Sequence, residues 1–235
     1  SFKSALAVVV AVTAAEVFSQ VYWQRTFSAE NTKSIKSASV YAGLGCFTTV
    51  LLLGIAGAVG AGKGIENPTL SFIQQLELST PMSFLLLVLC TLLVASSVDT
   101  LENAISSTIS LDLVKKGAIE ARFITVGIVV FSILCSVYVS NIFNVFLVAD
   151  LFAVCLVFPT FYKLKNKSTG SYLLIPFLIS LTSAYSYRFI FIDMEINPGG
   201  VFIPTDLYGL ADLNTFLVGL VSSILVTVAY NKITK

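Results

Sequence analysis

Apolar runs long enough to cross a lipid bilayer recur from one end of the chain to the other. A bilayer core requires about 20 mostly apolar residues in helical conformation. Seven spans of this kind are predicted, at about 2–23, 38–60, 83–113, 119–140, 142–162, 171–191 and 213–231. Only 11% of the residues are charged, whereas soluble domains carry about 25%. We therefore expect an all-α integral membrane protein that resides in the lipid bilayer.

The composition also excludes several kinds of function. The chain has no histidine, which removes the commonest general base and most metal sites. Its four cysteines stand singly inside apolar runs, so neither a metal-binding pair nor a disulfide framework is indicated. No block of basic residues points to a nucleic-acid partner. We expect neither an enzyme nor a bound cofactor.

Lysine and arginine predict the orientation of the spans. Eleven of them fall in one set of alternating loops and the C-terminal tail, and three fall on the other side. Because cytoplasmic loops are enriched in these residues, the N-terminus is predicted to face outside and the C-terminus the cytoplasm, most simply at the plasma membrane. The loop at 192–212, rich in Gly and Pro, is predicted to be an irregular outer loop.

The third span carries an unusual amount of polarity in its second half. On a helical wheel, seven polar side chains fall within an arc of about 120°. They are Ser96, Asp99, Thr100, Asn103, Ser106, Ser107 and Ser110. Polar groups inside a membrane face other helices or a water-filled path, because exposure to lipid is costly. Hydrogen bonds between helices would explain them, and so would a cation site, since Na⁺ prefers oxygen ligands.

Two segments carry a resemblance to a known family. The run VASSVDTLENAISSTISLDLVKK resembles the eighth core helix of the sodium/solute symporter family, with its hydroxyl pair, later acid and basic end. The run SQVYWQRTFSAENTKSIKSASVYAG is similar to the end of the sixth core helix, where Gln20, Gln24 and Arg25 fit the pattern. The resemblance extends over roughly 1–163.

The resemblance implies a LeuT-type fold, in which two inverted five-helix repeats hold substrate and ions between them. Residues 1–163 would be the second repeat, core helices six to ten, and 164–235 would add two transmembrane helices with the outer loop 192–212. It also implies a sodium site formed by the hydroxyls of Ser96 and Ser97 and the carbonyl of Leu93. Asp99 would tune ion affinity or bind a second cation, unless it makes a structural hydrogen bond to a neighbouring helix.

This mapping leaves the first repeat outside the chain, so the missing helices would come from a longer protein or from another chain. We therefore expect part of a secondary active transporter that couples Na⁺ entry to uptake of a small polar solute by alternating access. The coupling ion could equally be a proton. The alternative is a non-transporting membrane scaffold or assembly partner, which the missing repeat favours.

Four further residues are candidates for the transport path. Glu16 and Gln20 are four residues apart, a spacing that puts two side chains on one helix face. Together with Asn103 they are candidates to line the substrate cavity, although hydrogen bonds between packed helices would also explain them. Asp150 is alone in an apolar span and is a candidate proton site, because an isolated buried carboxyl tends to be protonated. An internal cap or a contact to a serine is the alternative.

Overall fold

The computed structural model describes residues 2–64, 71–74, 76–109, 118–138, 142–166, 173–191, 201–206 and 209–233. Within these ranges the chain forms nine α-helices and no strand. They are α1 (Phe2–Val17), α2 (Gln20–Phe27), α3 (Thr32–Gly62), α4 (Ser71–Gln74), α5 (Thr80–Thr108), α6 (Ala118–Tyr138), α7 (Ile142–Asn166), α8 (Leu174–Phe191) and α9 (Leu213–Ile233). The predicted all-α class is confirmed.

Five helices, α3, α5, α7, α8 and α9, are long and apolar enough to cross a membrane by length and composition. This agrees with the prediction of a membrane protein. The predicted span 119–140 corresponds to α6, and the predicted span 83–113 to α5, which remains helical through Ile109. The count of seven spans stays a prediction.

The first predicted span, 2–23, is divided in the structure. α1 ends at Val17, and α2 begins at Gln20. Between them the backbone closes two three-residue turns, Phe18 N to Ala15 O at 2.9 Å and Ser19 N to Glu16 O at 3.1 Å. Such turns commonly finish a helix, and serine is favoured at the position before the next one. The predicted span extends across the break because Val21, Tyr22 and Trp23 beyond it are apolar, although α2 as a whole is less apolar than α1.

The chain forms two compact units, Ser1–Ser19 with Phe131–Lys235 (unit 1) and Gln20–Val130 (unit 2). In unit 1, α1, α7, α8 and α9 pack into a four-helix bundle. In unit 2, α2 contacts α5, and α3 contacts α4. The division into a repeat at 1–163 and two further helices at 164–235 stays a prediction.

Buried residues recur every fourth position along two helices of unit 1. On α9 they are Thr215, Gly219, Ser223, Thr227 and Asn231, and on α8 they are Pro176, Ser180, Ala184 and Arg188. Residues four apart form the ridges by which helices interlock, and small side chains let two backbones approach closely. The polar members do not disrupt this packing, because hydroxyls such as that of Thr227 donate to the backbone of their own helix, here to Ser223 O at 2.6 Å.

Candidate functional site

Six of the seven polar residues predicted to share one helix face lie on α5. This helix begins at Thr80 with Pro81 in its first turn, a position that tolerates proline because no intrahelical N–H bond is needed there. The described members of this α5 polar face are Ser96, Asp99, Thr100, Asn103, Ser106 and Ser107. Ser110 lies outside the described residues. One uninterrupted helix therefore presents the whole described set.

Two of the predicted sodium ligands are in direct contact. The Ser97 hydroxyl donates to the Leu93 carbonyl at 3.0 Å, a bond that serine commonly makes one turn back along its own helix. Ser96 lies beside them, and its carbonyl accepts a hydrogen bond from Thr100 Oγ1 at 2.8 Å. The side chains of Ser96, Ser97 and Leu93 are all exposed, that of Leu93 to 69%. α5 thus offers adjacent hydroxyl and carbonyl oxygens on an uncovered surface.

Asp99 and Asn103 form a second polar pair one turn further on. Asn103 Nδ2 donates to Asp99 Oδ1 at 3.4 Å, and both side chains are exposed. Among the described residues, the hydrogen bond of Asp99 is therefore made within α5 and not to a neighbouring helix. Since Asp99 Oδ2 makes no hydrogen bond in the described part of the chain, this oxygen is available as a cation ligand.

The C-terminal end of the α5 polar face, at Ser106 and Ser107, is packed against other helices. Gln24 Nε2 of α2 donates to Ser107 Oγ at 3.0 Å, and Thr125 Oγ1 of α6 donates to Ser106 Oγ at 2.6 Å. Ser106 is buried and Ser107 half-buried. The polar face therefore divides into a packed end, which holds helices together, and an open end from Ser96 to Asn103.

The two candidates near the first span do not share a helix face. Glu16 lies in the last turn of α1 and Gln20 begins α2, because the helix ends between them. Both side chains are exposed. A spacing of four residues puts two side chains on one face only in a continuous helix, so it does not do so here.

Asp150 lies on the buried face of α7, where Leu147, Leu151 and Val154 form part of the core of unit 1. Its side chain is 5% exposed. No hydrogen bond to its carboxyl group is found within the described chain.

The role of Arg188 was not predicted from the sequence. The side chain is fully buried in the last turn of α8. Its Nε donates to Val201 O at 3.2 Å, and its Nη2 donates to Thr205 O at 3.0 Å. Its Nη1 donates to Thr215 Oγ1 at 3.1 Å. Arg188 therefore connects the loop preceding α9 to α8 and α9 through hydrogen bonds.

Asp212 completes this cluster and also begins α9. It accepts a hydrogen bond from Asn214 N at 3.1 Å, as helix-capping aspartates do. It also pairs with Arg188 Nη1 at 3.5 Å and accepts from the Thr215 hydroxyl. A lone arginine in an apolar span followed by an aspartate at a helix start was the sequence signal for this pair. Nothing in it points to a ligand, so we assign it to the architecture of unit 1.

Comparison with models of known families, with curated proteins and with solved structures found no match to this chain.

Proposed function

We propose that this chain is part of a secondary active transporter, in which the open end of the α5 polar face binds Na⁺ and the sodium gradient drives uptake of a small polar solute. The observation that carries the proposal is the exposure of Ser96, Ser97, Asp99 and Asn103 on a helix long enough to cross a membrane. Adjacent hydroxyl and carbonyl oxygens suit a hard monovalent cation.

Polar groups at the open end of the α5 polar face would be costly to expose to lipid. An unpaired hydroxyl or carboxylate in hydrocarbon costs several kcal/mol, so the segment from Ser96 to Asn103 requires water or other protein against it. In our proposal, helices of a first repeat cover it and supply the remaining oxygen ligands. They come from the same longer protein or from another chain, as in a LeuT-type arrangement.

The break between α1 and α2 supports the same proposal. Transporter sites are commonly built at helices that are interrupted within the membrane, because an interruption frees backbone groups to contact ions and solutes. Phe18 and Ser19 separate α1 from α2 inside the predicted first span. Glu16, Gln20 and Asn103 are our candidates to line the solute cavity.

The proposed topology has seven spans, with the N-terminus outside, the C-terminus in the cytoplasm and the protein in the plasma membrane. Residues 1–163 form the second five-helix repeat, and 164–235 add two helices. Alternating access then requires one repeat to move against the other, without chemistry on the solute.

Uptake by the complete protein in proteoliposomes tests the proposal. Sugars, amino acids and urea, solutes carried by members of the family that this chain resembles, are supplied under an inward Na⁺ gradient or an equal K⁺ gradient. We expect at least one solute to accumulate only with Na⁺. Equal uptake under both gradients for every solute would contradict sodium coupling.

A second candidate function is a membrane scaffold that transports nothing. It is favoured by α3, where Gly60 is the buried residue among those described and the membrane-spanning window is not covered by the rest of the chain. Such a helix requires a partner in the membrane or lipid contact along its length. If the scaffold reading is right, alanine at Ser96 and Ser97 leaves assembly intact, and no solute shows sodium-dependent uptake.

A further inference from the structure

Helices α7 and α9 of unit 1 run in the same direction. Near the middle of both, the Cβ position of Gly219 lies 3.1 Å from Cys155 Sγ. Further along both, Asn231 Nδ2 donates to Tyr162 Oη at 2.7 Å. The contacts advance together along the two helices, so the C-termini of α7 and α9 lie side by side at one end of unit 1.

This end of unit 1 carries three lysines. Lys163 and Lys165 belong to the last turn of α7, and Lys232 belongs to the last turn of α9. None of them forms an ion pair with an acid in the described part of the chain. α8 runs antiparallel to α9, and its first turn, at the same end, contains no acid. The three ammonium groups are therefore available to an anion from outside the chain.

The hydrogen bond between Tyr162 and Asn231 determines which side of the helix pair each lysine faces. Because successive side chains turn by about 100°, Lys165 lies about 60° to one side of Tyr162, and Lys163 lies about 100° to the other. Lys232 lies about 100° from Asn231. In parallel helices that face each other, these angles put Lys165 and Lys232 on the same side of the pair and Lys163 on the opposite side. The exposure of the side chains agrees, since Lys163 is half-buried and the other two are exposed.

Two exposed apolar side chains lie on the side that Lys165 and Lys232 share. Phe161 precedes Lys165 by one turn and is 48% exposed, and Leu225 precedes Lys232 by two turns and is 64% exposed. Both are further from the helix ends than the lysines are, and therefore deeper in the bilayer. The surface thus has positive charge at its outer edge and apolar side chains beneath, which matches an anionic headgroup and its acyl chains.

We propose that this side of the α7–α9 pair binds an anionic phospholipid. The ammonium groups of Lys165 and Lys232 contact the phosphate of the headgroup, and Phe161 and Leu225 contact the acyl chains. Hydrogen bonds between charged partners are among the stronger ones in proteins. The lysine and arginine distribution predicts that this end faces the cytoplasm, and the cytoplasmic leaflet is where anionic lipids are concentrated. The surface shares no residue with the α5 polar face, so this inference is independent of sodium binding.

Native mass spectrometry of the full chain in detergent micelles tests the proposal, with phosphatidylserine and phosphatidylcholine as the lipids. We expect wild-type protein to bind phosphatidylserine more tightly. Lys165→Gln and Lys232→Gln should each weaken its binding by about fivefold, the contribution of one lysine near an anionic membrane surface. Lys163→Gln is the matched control, since it removes the same charge from the same end but from the opposite side, and it should leave the binding unchanged.

Three results would overturn the proposal. Equal affinity of the wild-type protein for the two lipids would show that the surface does not select negative charge. Equal weakening by all three substitutions would show a diffuse attraction to this end of the molecule instead of a site on one side. Glycerophosphoserine has the same headgroup without acyl chains, and its competing as well as phosphatidylserine would show that the lysines bind a free anion and not a lipid.

Discussion

Gln24 Nε2 lies 3.0 Å from Ser107 Oγ and joins α2 to the packed end of the α5 polar face. The two residues belong to the two sequence segments that resemble the symporter family, so these segments are in contact within unit 2. The contact also explains why the polarity of α5 has two roles. Hydrogen bonds between helices account for Ser106 and Ser107, whereas Ser96 to Asn103 remain open.

A double-mutant cycle tests the contact between α2 and α5. Gln24→Ala and Ser107→Ala remove the same hydrogen bond, so their effects on the free energy of unfolding should not add. We expect a coupling of about 0.6 kcal/mol, the average for hydrogen bonds between membrane helices, measured by unfolding in mixed micelles. Gln24→Ala combined with Ser96→Ala is the control, and its effects should add because those sites are far apart. Equal coupling in both cycles would contradict the contact.

Replacement of Arg188 should destabilise unit 1 strongly. Arg188→Met removes hydrogen bonds to two loop carbonyls and to Thr215, and it leaves Asp212 without its ion-pair partner. We expect a loss of about 3–5 kcal/mol, as for other broken buried pairs, measured by chemical unfolding. The exposed Arg122 is the control, since Arg122→Gln should change stability by less than about 0.5 kcal/mol. Similar stability of the two variants would show that the Arg188 cluster is not an anchor.

A side chain at Gly219 should be unfavourable because it would lie too close to Cys155. A Cβ at this position would lie 3.1 Å from Cys155 Sγ and 3.4 Å from Leu151 Cδ1. Gly219→Ala should therefore lose the gain of about 1 kcal/mol that alanine usually gives within a helix. Cys155→Ala in the same chain should restore that gain. Gly45, with nothing within 4 Å of its Cβ position, is the control at which alanine is accepted. A stabilising Gly219→Ala in the presence of Cys155 would contradict this packing.

The five helices that could cross a membrane could be predicted from the sequence because each is long and apolar, and hydropathy detects that directly. The break at Phe18 and Ser19 was not predicted, because the apolar residues Val21, Tyr22 and Trp23 follow it, although α2 as a whole is less apolar than α1. The wheel of α5 correctly grouped the polar residues on one helix. It could not divide them into packed and open parts, because that division depends on Gln24 and Thr125 from other helices.

The role of Arg188 could not be predicted from the sequence either, because its partners are distant along the chain. Its position in the sequence is near the end of the predicted span 171–191, but its role depends on the carbonyls of Val201 and Thr205 and on the start of α9. Those partners are 13 and 17 residues away along the chain, and no periodic pattern links them to α8. Asp150 was identified because a single acid in an apolar run is visible without any structure.

Binding of radiolabelled sodium by the complete protein in lipid nanodiscs tests the proposed cation site most directly. α3 offers a matched control, the neighbouring exposed hydroxyls of Thr48 and Thr49, which donate to the carbonyls one turn back at 2.8 and 2.9 Å as Ser97 does on α5. We predict that Ser96→Ala/Ser97→Ala weakens sodium binding by about tenfold or more, equivalent to about 1.4 kcal/mol, while Thr48→Ala/Thr49→Ala leaves it unchanged. Unchanged sodium affinity in the Ser96→Ala/Ser97→Ala protein, or an equal loss in both variants, would contradict the site.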